Sequence, residues 1–281
     1  MANNLRTLGP KEAKTVLSFR EQGRSIVRAA DIISLLGNEQ TGRKVTRNLL
    51  RKGWLTRLVG GRYLFLPPEH GPENLGENNA LSIASAVVEP CYVGWWAAAS
   101  YHGFTTQKPT TICVATHRQL AARTIEGNEI RFISVVERKF FGFKTYDLYG
   151  RDATISEPDK TVADCVDRPD LAGGVAEVTR IVHGAAPRTK PVEILDAALR
   201  MKSTALLQRL GYLTDLVGCK WPESQRARLH AAIPKSARTV FGRAQREEGD
   251  IGYVAHWGLI VHARASDLLA DVPQIKASEP N

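Results

Sequence analysis

No run of about 18 apolar residues occurs anywhere in the chain, so no segment reads as a membrane-spanning helix. Met1 to Pro10 has neither the apolar core of a secretory signal nor the Arg-rich, Ser-rich look of a transit peptide, and a cytoplasmic protein without membrane association is expected. Cysteine is scarce. Cys91, Cys113, Cys165 and Cys219 are widely separated and none forms a C-x-x-C pair, which leaves buried, reduced thiols as the expectation rather than a zinc site or a disulfide framework. The chain also lacks G-x-S-x-G, a P-loop, G-x-G-x-x-G and H-E-x-x-H. It contains no Gly-Ser dipeptide, the turn that a nucleotidyltransferase places ahead of its carboxylates. No catalytic residue, metal or cofactor is therefore expected.

What is present is unevenly distributed charge. The formal net charge is +9 over 281 residues. Residues 1–66 hold thirteen Lys or Arg and four acids, whereas the remainder holds 25 of each sign and nets to zero. Clustered cations release counterions when they meet a polyanion, so this partition points to a nucleic-acid-binding module of residues 1–66. A Pro-, Gly- and Asn-rich stretch at 67–79 reads as a linker, and residues 80–281 as a second, larger and neutral domain.

Within the basic module, Pro10 opens a helix running from Lys11 to Gln22, with Ala13, Val16 and Leu17 at helical spacing and Gly23 as its stop. Arg28 to Leu36 predicts a second helix, Gly37 to Gln40 a turn, and Thr41 to Gly53 a third helix. Val45, Leu49 and Leu50 face inward from that helix while Arg43, Arg47 and Arg51 recur every four residues. Two strand-like runs follow, Leu55–Val59 and Arg62–Leu66, around a Gly60-Gly61 dipeptide suited to a two-residue hairpin. Helix, turn, helix and hairpin in this order make a winged helix-turn-helix. From Thr41 to Arg62 there are seven cations and no acid, which suits a phosphate-facing surface. The candidate DNA contacts are Thr41, Arg43, Lys44, Arg47, Asn48 and Arg51 on the third helix, with Arg57 and Arg62 in the wing. Trp54 and Tyr63, flanked by apolar residues, are expected in the core or at a hinge.

The larger domain alternates in character. Helices are expected at Ala80–Val88, Trp95–His102, Glu157–Val166, Val175–His183, Pro191–Met201, Ser203–Val217 and Glu223–Ile233. Strands are expected at Cys91–Val93, Thr111–Thr116, Glu129–Val136 and Gly142–Tyr149, with extended structure around Gly252–His262. The whole is α+β: an N-terminal winged helix-turn-helix plus a larger mixed α/β domain. Glu157, Asp159, Asp164 and Asp167 suggest a metal site, but Ser156-Glu-Pro-Asp159 fits better as a helix N-terminus with Ser156 as the cap. A nuclease reading fails because no Glu-x-Lys triplet follows Pro158-Asp159.

Three segments together resemble a known family. They are Lys52-Gly-Trp-Leu-Thr-Arg-Leu-Val-Gly-Gly-Arg-Tyr-Leu-Phe, then Ile155-Ser-Glu-Pro-Asp-Lys-Thr-Val-Ala-Asp-Cys165, then Arg209-Leu-Gly-Tyr-Leu213 followed by His256-Trp-Gly-Leu. Their order and spacing are similar to those of the AbiEi-type antitoxins, the antitoxin halves of bacterial type IV toxin-antitoxin pairs. The resemblance implies repression, by binding double-stranded DNA at inverted repeats in the chain's own promoter. It also implies a C-terminal domain that counteracts a nucleotidyltransferase toxin, often without a stable complex. DNA contact carries over to Arg43, Lys44, Arg47 and Arg51 with Arg57 and Arg62, and antitoxicity only weakly to Arg151, Asp159 and Lys160. A ligand-sensing winged-helix transcription factor without antitoxin activity is the alternative.

Overall fold

A computed structural model describes residues 7–24, 26–66, 80–125, 127–148 and 151–272. The chain is α+β, as expected. Its N-terminal part runs α1 (Pro10–Glu21), β1 (Ile26–Arg28), α2 (Ala29–Leu36), α3 (Glu39–Arg51), β2 (Leu55–Arg57) and β3 (Arg62–Phe65). β1, β3 and β2 form an antiparallel sheet in that order, completing a winged helix. Three residues of β1 are too few to leave a periodic trace, so the sequence reading starts the second helix at Arg28 where the strand in fact ends. The third helix begins two residues earlier than expected, at Glu39, because Asn38 caps it by accepting a 2.9 Å hydrogen bond from the Thr41 amide. The wing is tighter in its strands and longer in its turn than a two-residue hairpin: β2 ends at Arg57, and Val59 to Gly61 form a single helical turn with Gly60 and Gly61 at φ near +70°.

The larger part runs α4 (Ala80–Ala86), β4 (Cys91–Val93), α5 (Trp95–Tyr101), β5 (Thr111–Thr116), β6 (Arg123–Ile125), β7 (Asn128–Ser134), β8 (Phe143–Asp147) and β9 (Asp152–Ser156). It continues through α6 (Pro158–Asp167), α7 (Val175–Ala185), α8 (Pro191–Met201), α9 (Thr204–Leu216) and α10 (Glu223–Ala231). β10 (Thr239–Gly242), β11 (Gly252–Val254), β12 (Leu259–His262) and α11 (Ala265–Leu269) complete it. A six-stranded mixed sheet has the order β6-β7-β5-β4-β9-β8, and a small three-stranded sheet the order β10-β12-β11. Among the described residues no helix is long and apolar enough to cross a membrane.

Strand alternation divides the large sheet between two cores. Tyr92, Cys113, Ala115 and Ile133 point into a core built with the helices α6 to α9, while Cys91, Val93, Ile112, Val114, Ile130 and Phe132 point into a second core beneath α4. The same alternation runs through β3. Tyr63 belongs to the winged helix's own core with Phe19, Ile32 and Leu49, but Leu64 and Leu66, together with Leu58, belong to the core of Ile83 and Val87. The wing thus packs one face on the larger part of the chain. The linker residues 67–79 themselves lie outside the described residues.

Two of the three segments singled out in the sequence meet in the core that α9 shares with the small sheet. Gly211 of α9 lies flush against the Trp257 ring, and a Cβ there would come within 2.3 Å of it. The Trp257 indole Nε1 donates to Asp215 at 2.8 Å, one helical turn further along α9. Arg209-Leu-Gly-Tyr-Leu213 and His256-Trp-Gly-Leu are thus two halves of one contact.

Candidate nucleic-acid interface and a buried polar centre

The helix α3 is amphipathic. Val45, Thr46 and Leu49 are buried and Gly42 sits against α2, so the opposite side carries Arg43, Lys44, Arg47 and Arg51, all exposed. Arg57, on β2, is also exposed, and its guanidinium lies 5.9 Å from the centre of the Tyr63 ring on the neighbouring strand. These five cations make up the candidate interface. Arg43 pairs with Glu39 one turn away at 2.6 Å, so the acid-free stretch begins only just beyond a carboxylate. Thr41 is partly exposed near the helix N-terminus, where backbone amides favour an anion.

Two expected contacts are turned elsewhere. Asn48 faces α1, where its side chain and the Lys52 ammonium both bond to the buried Glu12 carboxylate, with Lys52 at 2.5 Å. Burial alone would raise the Glu12 carboxyl, but the bonds from Lys52, the Gly9 amide and Asn48 outweigh it and hold the group below its usual 4.5. Arg62 is buried, at 8% exposure. It donates to the Val87 carbonyl at 3.1 Å and pairs with Glu89 at 2.6 Å, so it tethers the wing to the larger part of the chain and does not face solvent. The alternation that places Leu64 and Leu66 on the inner face places Arg62 there too, and that signal was present in the sequence. Trp54 and Tyr63 are core residues as expected.

The Ser-Glu-Pro-Asp-Lys-Thr segment builds a buried polar centre. Glu157, not Ser156, is the residue that caps α6, with Pro158 in its first turn. Ser156 is buried, its hydroxyl 2.6 Å from that of Thr161 and its carbonyl 2.7 Å from Nε2 of His102. A carbonyl only accepts, so that ring nitrogen carries the proton, and burial lowers the His102 pKa. Lys160 is fully buried; its ammonium pairs with Asp164 one turn along and donates to the Tyr92 hydroxyl at 3.1 Å, which in turn donates to Asp164 at 3.2 Å. Burial raises the carboxyl of Asp164, with Lys160 acting against it. The rings of Tyr92 and Phe141 lie 5.3 and 5.1 Å from the ammonium. Gly142, at φ +64°, is as close as it is because it lacks a side chain: a Cβ would lie 2.9 Å from that of Lys160. Next to this centre Trp95 sits at φ +54°, a backbone region that costs a bulky residue energy, with its buried Nε1 unpartnered among the described residues.

The structure therefore does not bring the three weak candidates for antitoxicity together at a surface. Lys160 is enclosed, Asp159 is half-buried with its carboxyl raised mainly by that burial, and Arg151 immediately precedes β9, its carbonyl accepting from the Leu148 amide. Nor do Glu157, Asp159, Asp164 and Asp167 converge on a cation: among the described residues no group of three His, Cys, Asp or Glu is placed to hold a metal. Cys91, Cys113 and Cys165 are buried and Cys219 partly so, all four as free thiols. A crevice of about 60 Å³ between α6, α8 and α9 is lined by Val162, Ile194, Leu210, Cys219 and Trp221.

Residues 92–216 match the family model described as the AbiEi antitoxin C-terminal domain, in agreement with the resemblance carried by the motifs. The match takes in β4 to α9, and so the buried centre, but neither the winged helix nor the small sheet. The crystal structure of the RV2827C protein from Mycobacterium tuberculosis is similar with a TM-score of 0.62 at 18% identity, over 94% of this chain and 95% of that one; this shows a shared fold. No curated protein matches the sequence.

Proposed function

We propose that this chain is the antitoxin and autorepressor of a type IV toxin-antitoxin pair. The match of residues 92–216 to the AbiEi antitoxin C-terminal domain is the observation that carries the reading. In it, the larger domain counteracts a nucleotidyltransferase toxin in the cytoplasm, and the winged helix binds double-stranded DNA at inverted repeats in the chain's own promoter. α3 enters the major groove, with Arg43, Lys44, Arg47 and Arg51 meeting phosphates or guanine edges and Arg57 reaching the flanking backbone. The support for this half is the exposed cationic face, backed by the capped N-terminus of the same helix. We assign no catalytic step to the chain.

The ligand-sensing alternative gains nothing from the crevice described above. At about 60 Å³ it falls well short of the roughly 300–1,000 Å³ of a small-molecule site. Expression together with a nucleotidyltransferase toxin of the class such antitoxins counteract, scored by growth, tests the antitoxin half, and gel retardation of the upstream promoter tests the repressor half. Neither protection nor promoter binding would end the proposal.

A further inference from the structure

We infer that the outer face of the small sheet is a docking site for a protein whose contacting surface is apolar at its centre and carboxylate-bearing at its margin. The inference stands on β10, β11 and β12 and does not depend on the antitoxin role. Val240 and Tyr253 both lie opposite Ile260 in register, so three apolar side chains form one row across all three strands. Their neighbours Phe241, Leu259 and Val261 point the other way, into the core beneath. Val240 is 41% exposed and Tyr253 50%, and Ile251, just ahead of β11, adds a further 37% exposed side chain. Only Leu17, Val136 and Val192 are comparably exposed large apolar residues elsewhere among the described residues, so half of that set gathers on one small sheet. The solvent face of an antiparallel pair is ordinarily polar, and an apolar row there marks a contact surface.

Cations outnumber carboxylates around the row, four to three between Ile233 and Val254. The Arg238 guanidinium lies 5.2 Å from the centre of the Tyr253 ring. It reaches there across Gly258, where a Cβ would stand 3.4 Å from Arg238 Nη1 and 2.9 Å from Gln208 Nε2. Its hydrogen bonds go to the carbonyls of Lys235 and Ala237, and no carboxylate pairs with it among the described residues. Among the described residues Arg238, Lys235 and Arg246 form no ion pair, and Arg246 lies against Gly252 of β11. Glu247 and Asp250 are spent on Arg243, which leaves Glu248 as the one carboxylate between Ile233 and Val254 outside such a pair.

An apolar centre with Tyr and Arg at hand and cations at the margin is the anatomy of a protein contact. A second copy of this face would set like charges against each other. A single-stranded nucleic acid would stack on Tyr253, yet Val240, Ile251 and Ile260 offer no ring to the next base. Carboxylates around an apolar strip complement what is here.

The test uses the full chain, labelled with nitrogen-15 and titrated with three probes: a peptide alternating Glu and Leu, the same peptide with Lys for Glu, and an oligouridylate. The acidic peptide is expected to move the amide resonances of residues 239–242, 252–254 and 258–262, more weakly as salt rises, and the Lys peptide to leave them in place. Val240→Glu and Arg238→Glu are each expected to weaken the acidic peptide by about tenfold or more. Both side chains are exposed, and Arg238→Gln repeats the charge test without a reversal. Shifts confined to α3, no shifts at all, unchanged binding by the variants, or movement of these resonances by the oligouridylate instead of the peptide would each overturn the inference.

Discussion

Gly42 of α3 rests directly on Ile33 of α2: a Cβ at Gly42 would stand 2.8 Å from the Ile33 Cα and 2.6 Å from its Cγ1. The crossing of the two helices that orient the cationic face is set by the absence of that one carbon. Ala in a helix interior is worth up to about 1 kcal/mol over Gly. Overpacking costs about 1–3 kcal/mol, and here the obstacle is backbone, which cannot swing aside. Gly42→Ala is therefore expected to lower stability in urea denaturation and to weaken promoter binding with it.

Arg47 and Arg62 are both wing-or-helix arginines in sequence, and the structure separates them. Arg47→Ala should leave stability unchanged and reduce the slope of log affinity against log salt by about 1. Arg62→Ala should do the reverse. It orphans the Val87 carbonyl and frees Glu89, costing about 1–3 kcal/mol of stability while the salt slope stays as it was. Paired measurement of denaturation and salt dependence on both variants checks the assignment; a reduced slope for Arg62→Ala would return that residue to the DNA.

The Lys160–Asp164 pair offers a sharper energetic test. Removing one partner by Lys160→Met leaves a buried carboxylate without its cation, a loss of about 3–5 kcal/mol. Replacing both, by Lys160→Met with Asp164→Leu, should recover much of that loss, since apolar residues in place of a buried pair are often tolerated. Additive losses in the double variant would show that the two side chains do not act as a pair.

Glu12 gives the winged helix an acid limit. Its carboxyl is held below the unfolded value of 4.5, so its contribution is full above that pH and is lost as pH falls from 4.5 through the lower folded value. Glu12→Gln should remove that part of the acid-induced fall in stability. A wild-type and variant difference that stays constant across this window would contradict the assignment.

Much of this was legible beforehand. Pro191–Met201 is a helix to the residue, and α9 is one residue shorter than expected at each end because Ser203, accepting from the Leu206 amide, and Val217 are its caps. Long amphipathic segments with caps carry their own boundaries. β1, β6 and β10 were missed: each has three or four residues, and β10 owes its existence to parallel pairing with β12, a partner distant in sequence. β9 was missed although Asp152 to Ser156 alternates polar and apolar residues, because five residues with only Ala153 and Ile155 apolar make a weak signal beside the helix that follows. At the candidate interface the charge pattern marked a helix whose cations are exposed but could not tell which polar side chains serve packing. Arg62 and Asn48 look like surface residues until the face they share, with Leu64 and with Glu12, is known. The Ser-Glu-Pro-Asp-Lys-Thr segment was visible as a motif, yet the burial of Lys160 depends on Phe141 and Gly142 from another loop.

Antitoxicity is isolated when repression is removed from the measurement. A nucleotidyltransferase toxin of the class such antitoxins counteract is expressed from an unrelated inducible promoter, alone, with the full chain, and with the full chain carrying Arg43→Ala, Arg47→Ala and Arg51→Ala. Growth is the readout. The wild type and the triple variant are expected to restore growth equally, while only the wild type represses a reporter driven by the chain's own promoter. An active toxin that arrests growth in the presence of abundant wild-type chain would contradict the antitoxin role.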